Sequence, residues 1–521
     1  MMIIKLKLFS LILLLSLVAV FVNYYYGSLG VLPIDTFAHF DAGYRITQGE
    51  IPFIDYWTIS GPFIDFLQAF YFSIFGVSWK SYMLNSSMVN LILTLVSFLF
   101  FKKIGLAYGY SFFYAICIAI LANPSMGTPF PDHYSTFFSL FAIISFIYGL
   151  ETKNKIYWFF IPILFFIAFF CKQTPAAYII LGFMFNILIY LYVKKNLYFL
   201  SPIILGSIVS MVLLILFISL FNIDINQFLS QYFLYPRTIG ASRINEWELS
   251  FNKGVSTFKF LHIILLPLVF IFLKNLLFKK DYTSENNFFI NFNFIFFTFL
   301  LIVHQWLTLN FIFIFFLIPF LCAIIQSNIK KFKLVKWFNL FLLLFCLLVT
   351  IKYHFRFNEE RKMLDLENIN LSNFFEAKQI DSKLKGLKWI SRKYSSDQQT
   401  EINKLLIFKK ILQNEKKKIM FVSNYQFFSS ILNKSLHSPN RWYGTPVAHP
   451  SKSNPYYKNY LLFNYDKIIK NKIEIIYIDI SLGKYQLDLF EEIFKKLPTD
   501  CADFNKIEDV LYKFDISSCY N

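Results

Sequence analysis

Long apolar runs separated by short polar joints set the pattern of this chain. Runs of spanning length, or nearly so, cover residues 4–25, 84–101, 105–121, 134–150, 157–171, 176–193, 199–221, 258–273, 288–303, 307–325 and 335–351. A membrane helix needs roughly 20 predominantly apolar residues, so the pattern predicts about eleven transmembrane helices. Between the first two runs lies a long, semi-apolar segment, 27–82. Its stretch GPFIDFLQAFYFSIFGVSW predicts a helix lying on the membrane surface, apolar side down, with Asp65 on the solvated face. From about residue 352 the pattern turns polar. Helical spacing predicts helices over 373–392 and 399–413, while KIMFVS (418–423) and IEIIYIDI (473–480) read as strands. The expected fold is an all-α polytopic membrane domain over 1–352 with a small C-terminal α/β domain over 353–521.

Composition strengthens this reading. Of 521 residues 56% are hydrophobic and only 16% charged, too apolar for a soluble chain of this length. The net charge of +18 would suggest nucleic acid in a soluble protein. Here the cations gather in joints between runs, as Lys5 and Lys7, Lys102 and Lys103, Lys153 and Lys155, and Lys194 and Lys195. Lys274, Lys279 and Lys280 continue the series, as do Lys330, Lys331, Lys333 and Lys336, whereas 122–132 and His304–Gln305 carry no Lys or Arg. Cytoplasmic loops hold the excess of Lys and Arg, so the N-terminus is expected in the cytoplasm and the C-terminal domain outside. No basic–aromatic or groove-reading motif accompanies the charge, and nucleic acid is not an expected partner. The N-terminal run has a basic start but no small-x-small cleavage site, which favours a retained helix over a removed signal. Cys117, Cys171, Cys322 and Cys346 sit in or at the ends of apolar runs without metal-ligand spacing and read as buried thiols. Cys501 and Cys519 lie in the polar tail and are expected to form a disulfide if that tail is extracytoplasmic.

Polar density concentrates where the first run ends. The stretch PIDTFAHFDAGYRITQGEIPFIDYW (33–57) packs Asp35, His39, Asp41, Arg45, Glu50 and Asp55 beside a membrane span. Unpaired ionisable groups near hydrocarbon are costly, so such clusters are functional candidates. Two more external segments carry charge. NPSMGTPFPDH (123–133) ends in Asp132 and His133, and 222–257 supplies Arg237 and Arg243. Lys172, in CKQTP, stands alone at an outward end against the charge bias, and His304 lies at another. Transfer of a sugar from a lipid phosphate needs a carboxylate base, cations for the departing phosphate and an apolar groove for the lipid. Each group also has a bland role. Asp35 and Asp132 can cap helices, Lys172 can snorkel, loop arginines can bind head groups, and His133 and His304 can simply pack.

The segment from Asp35 through Gly49, Pro52 and Asp55 resembles the first external loop of the GT-C superfamily of membrane glycosyltransferases. The nearest type is the family 39-like protein O-mannosyltransferases and aminoarabinose transferases. Those proteins carry an Asp–Glu pair after the first span; here Asp35 matches the Asp and Thr36 replaces the Glu, which leaves Asp41 or Glu50 as substitutes. PDH at 131–133 resembles their later acidic site. The resemblance covers the topology of roughly the first 350 residues, but its motifs only 33–175. It implies a hexosyl or pentosyl transferase with Asp35 as base and Asp132 or Asp41 in support. His133, Lys172, Arg237, Arg243, Asp55 and His304 would bind substrate. It further implies a polyprenyl-phosphate-linked sugar donor and an acceptor that is a glycolipid such as lipopolysaccharide, a polysaccharide or a protein. Transfer would occur at the outer face of the cytoplasmic membrane and without a resident cofactor or metal, although other superfamily members use a divalent cation. The alternative is a transporter or flippase of lipid-linked saccharides, which predicts mid-span charges, broken helices and an internal repeat.

Overall fold

The computed structural model describes residues 2–123, 126–195, 197–248, 250–278, 285–309, 314–329, 335–360, 364–444, 446–481, 483, 485–495 and 501–520. Lys279, Lys280, Lys330, Lys331 and Lys333 lie outside the described residues. The chain divides into two compact units, one of Met1–Ser28, Met83–Leu216 and Glu246–Asn368, the other of Leu29–Tyr82, Phe217–Asn245 and Ile369–Asn521.

The first unit is helical. Each apolar run read as a span contains a helix, although the run 307–325 holds one only from Leu317, as Leu317–Ile329, and its residues 310–313 lie outside the described residues. Eight helices in the described chain are long and apolar enough to cross a membrane, among them Trp79–Lys103, Pro131–Thr152, Gln173–Val193 and Asn287–Thr308. Three others, Tyr108–Leu121, Lys155–Cys171 and Leu317–Ile329, are shorter, at 14, 17 and 13 residues. This is a multi-pass membrane protein.

Lipid offers helices little hydrophobic reason to associate, so packing and buried polar contacts must hold them. Both are present. Phe146 meets the rings of Trp158, Phe183, Tyr190 and Phe289. Asn90 donates to the carbonyls of Ala19 and Ala119 at 3.2 and 2.9 Å, and the Tyr134 hydroxyl donates to Asn85 at 2.9 Å. Gly127, at φ +63°, lies so close to the end of the first helix that a Cβ there would meet Gly27 N at 2.1 Å. Only glycine fits.

The second unit is the α/β part. Strand β1 (Phe375–Glu376) pairs with β2 (Lys388–Trp389) as a small antiparallel hairpin. Strands β3 (Ile419–Val422), β4 (Ile475–Asp479), β5 (Asp503–Glu508) and β6 (Leu511–Asp515) form a sheet in the order β3-β4-β6-β5. Strands β3 and β4 are parallel, with helix Tyr457–Lys470 in the connection between them.

The core of this unit draws on all three of its stretches. Trp57 and Tyr235 are buried with Val422, Tyr460, Phe463, Ile476, Ile478 and Phe514. Phe37 stacks near Trp389 and Phe427 at 5.5 and 4.8 Å. Trp57 N donates to Pro439 O at 2.7 Å and Thr58 N to Gln231 at 2.8 Å. The IPFIDYW run is therefore core as well as candidate site. Cys501 and Cys519 are joined as a disulfide.

Two expectations fail here. No helix covers 373–392. Ala377, Ile380, Leu384 and Leu387 keep helical spacing and are all buried, but the backbone makes two 3-10 turns and the β1–β2 hairpin. Gly386 at φ +101° ends any helical path. The helix expected in this stretch is Pro62–Phe75, yet Asp65 is on its buried face with Ile64, Gln68 and Phe72, while Phe70, Ile74 and Phe75 are exposed.

Candidate functional site

Each unit contains a cluster of ionisable groups. In the membrane unit Pro131 starts helix Pro131–Thr152, Phe130 holds the cap position, and Asp132 is the second helical residue. Asp132 does not cap the helix; its carboxylate is paired instead. Lys172 Nζ reaches Oδ2 at 2.6 Å and His304 Nε2 reaches Oδ1 at 3.3 Å. Lys172 occupies an extended residue, φ −162° and ψ 135°, between helices Lys155–Cys171 and Gln173–Lys194. The Ser135 hydroxyl donates to its carbonyl at 3.1 Å.

Of the three side chains Lys172 is the accessible one, 21% exposed against 2% for Asp132 and 1% for His304. A carboxylate holding a lysine and a histidine is committed to orienting them, which suits Asp132 to positioning. Lys172 can offer an N–H to an anion while still held by Asp132. His133 is buried with the rings of Phe130 and Phe137 5.8 and 5.9 Å away.

The α/β unit contains the acidic loop. Asp35 is half-buried, the third residue of the short helix Pro33–Thr36. The caps of that helix and of Ala38–Thr47 fall on Leu32 and Phe37, so Asp35 is not a capping residue. Around Arg45 the loop closes on itself. Its Nε donates to Glu50 at 2.6 Å, its Nη2 to Ser438 O at 2.8 Å and to Asp55 O at 3.4 Å, and its guanidinium lies 4.3 Å above the Tyr56 ring. Asp41 is 3.9 Å from the same guanidinium. Burial pushes its carboxyl up to about 6, with Arg45 opposing and Glu50 adding to the push. Burial also acts upward on Glu50, but Arg45 and the Ser435 hydroxyl outweigh it and hold Glu50 below the usual carboxylate range. Asp55 accepts from Lys467 Nζ at 2.6 Å and from Ile51 N at 2.8 Å, which together overcome its burial and lower it.

Sequence reasoning missed the centre of this network. Asp65, fully buried, accepts from His39 Nδ1 at 2.6 Å and from Arg441 at 3.0 and 3.3 Å. Burial, then Arg441, lowers His39 against the pull of Asp65. Gly61, at φ +74°, makes room, since a Cβ there would stand 2.6 Å from His39 Cε1 and 2.9 Å from Arg441 Nη1. The available signal was Asp65 and Gln68 three residues apart on an otherwise apolar helix. Nothing local marked Arg441 or Lys467. Arg237 and Arg243 lie on helix Tyr235–Asn245, exposed and half-buried respectively, and neither belongs to the clusters just described. Among the described residues no group of His, Cys, Asp or Glu is arranged to hold a metal ion.

Helical membrane unit and α/β unit together define the class, a polytopic membrane protein whose charged loop folds with its C-terminal sheet. No family model and no curated protein sequence matches the chain. Among solved structures it is similar to ArnT from Cupriavidus metallidurans bound to undecaprenyl phosphate, with a TM-score of 0.50, 12% identity and 98% of each chain covered. At that identity the likeness is one of fold.

Proposed function

We propose that this chain is a GT-C-type membrane glycosyltransferase. It takes a sugar from a polyprenyl-phosphate carrier and passes it to a glycolipid, polysaccharide or protein at the outer face of the cytoplasmic membrane. The observation that carries the reading is Lys172, a partly accessible ammonium at a break between two membrane helices, held there by Asp132. A carrier phosphate needs such a cation as it departs. The full-length fold likeness to a protein solved with undecaprenyl phosphate bound supports the donor class.

In this reading the acceptor hydroxyl attacks the anomeric carbon of the donor sugar. Asp35 takes the hydroxyl proton, the bond from that carbon to the phosphate oxygen breaks, and polyprenyl phosphate leaves against Lys172. Asp132 and His304 position Lys172, and Asp41 or Glu50 stands where a second loop acid is needed. His133, Asp55, Arg237 and Arg243 are proposed to contact substrate. The N-terminus is in the cytoplasm and the α/β unit outside.

Removing the cation tests the central observation. Lys172→Gln should raise the KM for a polyprenyl-phosphate sugar about tenfold or more, the worth of one charge-assisted hydrogen bond. An unchanged KM in membranes with matched protein levels would remove Lys172 from the phosphate site.

A further inference from the structure

The β1–β2 hairpin and the turn after it are unevenly charged. Residues 374–393 hold Lys378, Lys383, Lys385, Lys388, Arg392 and Lys393 against Glu376 and Asp381. Asp381 is already engaged, since Lys409 Nζ donates to it at 2.9 Å. Glu376, half-buried opposite Lys388 in the hairpin, can offset one cation. Lys383 is turned to Ser430 O and Asn433, whereas Lys378, Lys385, Lys388, Arg392 and Lys393 are exposed. Among the described residues no carboxylate pairs with Lys378, Lys385 or Lys388. The patch keeps a surplus of positive charge that repels itself.

Two links hold this patch near a bilayer. Gly30 N donates to Lys388 O at 3.0 Å and Val31 N to Ile390 O at 2.8 Å. Residue 30 comes three positions after Gly27, the last residue of the spanning helix Leu6–Gly27. A chain advances at most about 3.6 Å per residue and paired strands stand about 5 Å apart, so the Lys388 backbone lies within roughly 15 Å of that helix end. Phe37 supplies the second link. Its ring is 5.8 Å from that of Trp79, which opens the spanning helix Trp79–Lys103, and 5.5 Å from that of Trp389. Tyr24, Tyr25 and Tyr26 precede the end of the first helix. Tyr and Trp gather at the headgroup level, so both helix ends carry the marks of an interface.

Cations gathered beside a membrane helix attract anionic headgroups, and the attraction fades over about 10 Å at 0.1 M salt. We propose that the exposed cations of 378–393 form a docking surface for anionic phospholipid headgroups, in the leaflet where the first helix ends. Lys378, Lys385 and Lys388 meet the lipid phosphates, and Arg392 and Lys393 add to the field. Phe374, 36% exposed with Lys388 Nζ 4.7 Å from its ring centroid, gives the patch an apolar contact beside its charge. The tether to two helix ends is what selects a lipid over a soluble anion. The inference goes beyond the transfer reaction and does not depend on it.

Amine labelling of the full chain in lipid nanodiscs, read lysine by lysine by mass spectrometry, tests it. One set of discs is phosphatidylcholine and the other an equal mixture of phosphatidylcholine and phosphatidylglycerol. Lys378, Lys385 and Lys388 should label at least about threefold more slowly in the mixed discs. The difference should vanish at about 0.5 M salt, where the screening length falls to roughly 4 Å. In mixed detergent micelles, the triple variant Lys378→Gln, Lys385→Gln, Lys388→Gln, all at exposed positions, should retain phosphatidylglycerol about tenfold less tightly than wild type. Equal labelling in the two discs, a difference that survives high salt, or unchanged lipid retention in the variant overturns the proposal. Protection of the same lysines by millimolar glycerol phosphate in phosphatidylcholine discs also overturns it, because the site would then take a soluble anion. No sugar donor is present, so failure here leaves the transfer reading standing.

Discussion

Asp41 is buried beside a guanidinium already bonded to Glu50 and two carbonyls, and a carboxylate in that position gains little by ionising. Its pKa rises from 3.8 to about 6. Between those values the folded chain retains a proton that the unfolded chain has released, so stability falls as pH rises through the window. The contribution is fully present below about pH 4 and lost above about pH 6, and amounts to roughly 3 kcal/mol. Asp41→Asn should therefore stabilise the protein relative to wild type at neutral pH but not at about pH 4, as read by denaturant unfolding in detergent. Glu50 and Asp55, both lowered, act in the opposite sense in both proteins and cancel in the comparison. A constant difference across the range would show that Asp41 does not titrate there. Asp132, Lys172 and His304 were legible singly, because each interrupts or ends an apolar run. Their pairing was not, since it joins positions 40 and 172 residues apart. Asp65 was misread because amphipathicity was judged by where apolar residues should point, whereas its partner Arg441 lies 376 residues away.

Elements with a strong period were the most legible. The apolar runs hold helices, 307–325 only from Leu317 onward, IMFV and IIYID became β3 and β4, and the helix expected at 399–413 is Gln398–Asn414. The failure at 373–392 arose because burial at every third or fourth residue also satisfies 3-10 turns, and one glycine at positive φ decides between them. Strands β5 and β6 were invisible for another reason. All of β5 is exposed, so it carries no inward-facing pattern, and β6 is half covered. The Cys501–Cys519 bond links the start of β5 to the turn after β6 across 18 residues. Closing a loop of that length contributes about 3 kcal/mol in the chain-entropy description. Replacing both cysteines by serine should lower the unfolding free energy of this unit by about that amount, and full thiol labelling of wild-type material without reductant would show the bond absent.

For the whole molecule, hydropathy made the membrane class plain, while the assembly of 29–82 and 217–245 with the tail depends on aromatic contacts that no local pattern reports. The proposed orientation, N-terminus in the cytoplasm, rests on the lysine asymmetry of the joints. Reporter fusions after Lys103 and Lys195 should read cytoplasmic, and those after Thr128 and Gly386 external. A cytoplasmic signal at Gly386 would invert the α/β unit and remove its loop from the outer face.

The central claim is chemical, and Asp35 tests it most directly. Asp35→Asn keeps the shape of the side chain at a half-buried helical position, so membrane insertion and stability should barely change. Sugar transfer from a polyprenyl-phosphate pool should fall by about 10²–10⁴-fold, the usual contribution of a positioned base, with the KM for donor nearly unaltered. Near-normal transfer by Asp35→Asn at matched protein levels would contradict the account and leave Asp41 and Asp132 as the remaining acids to test.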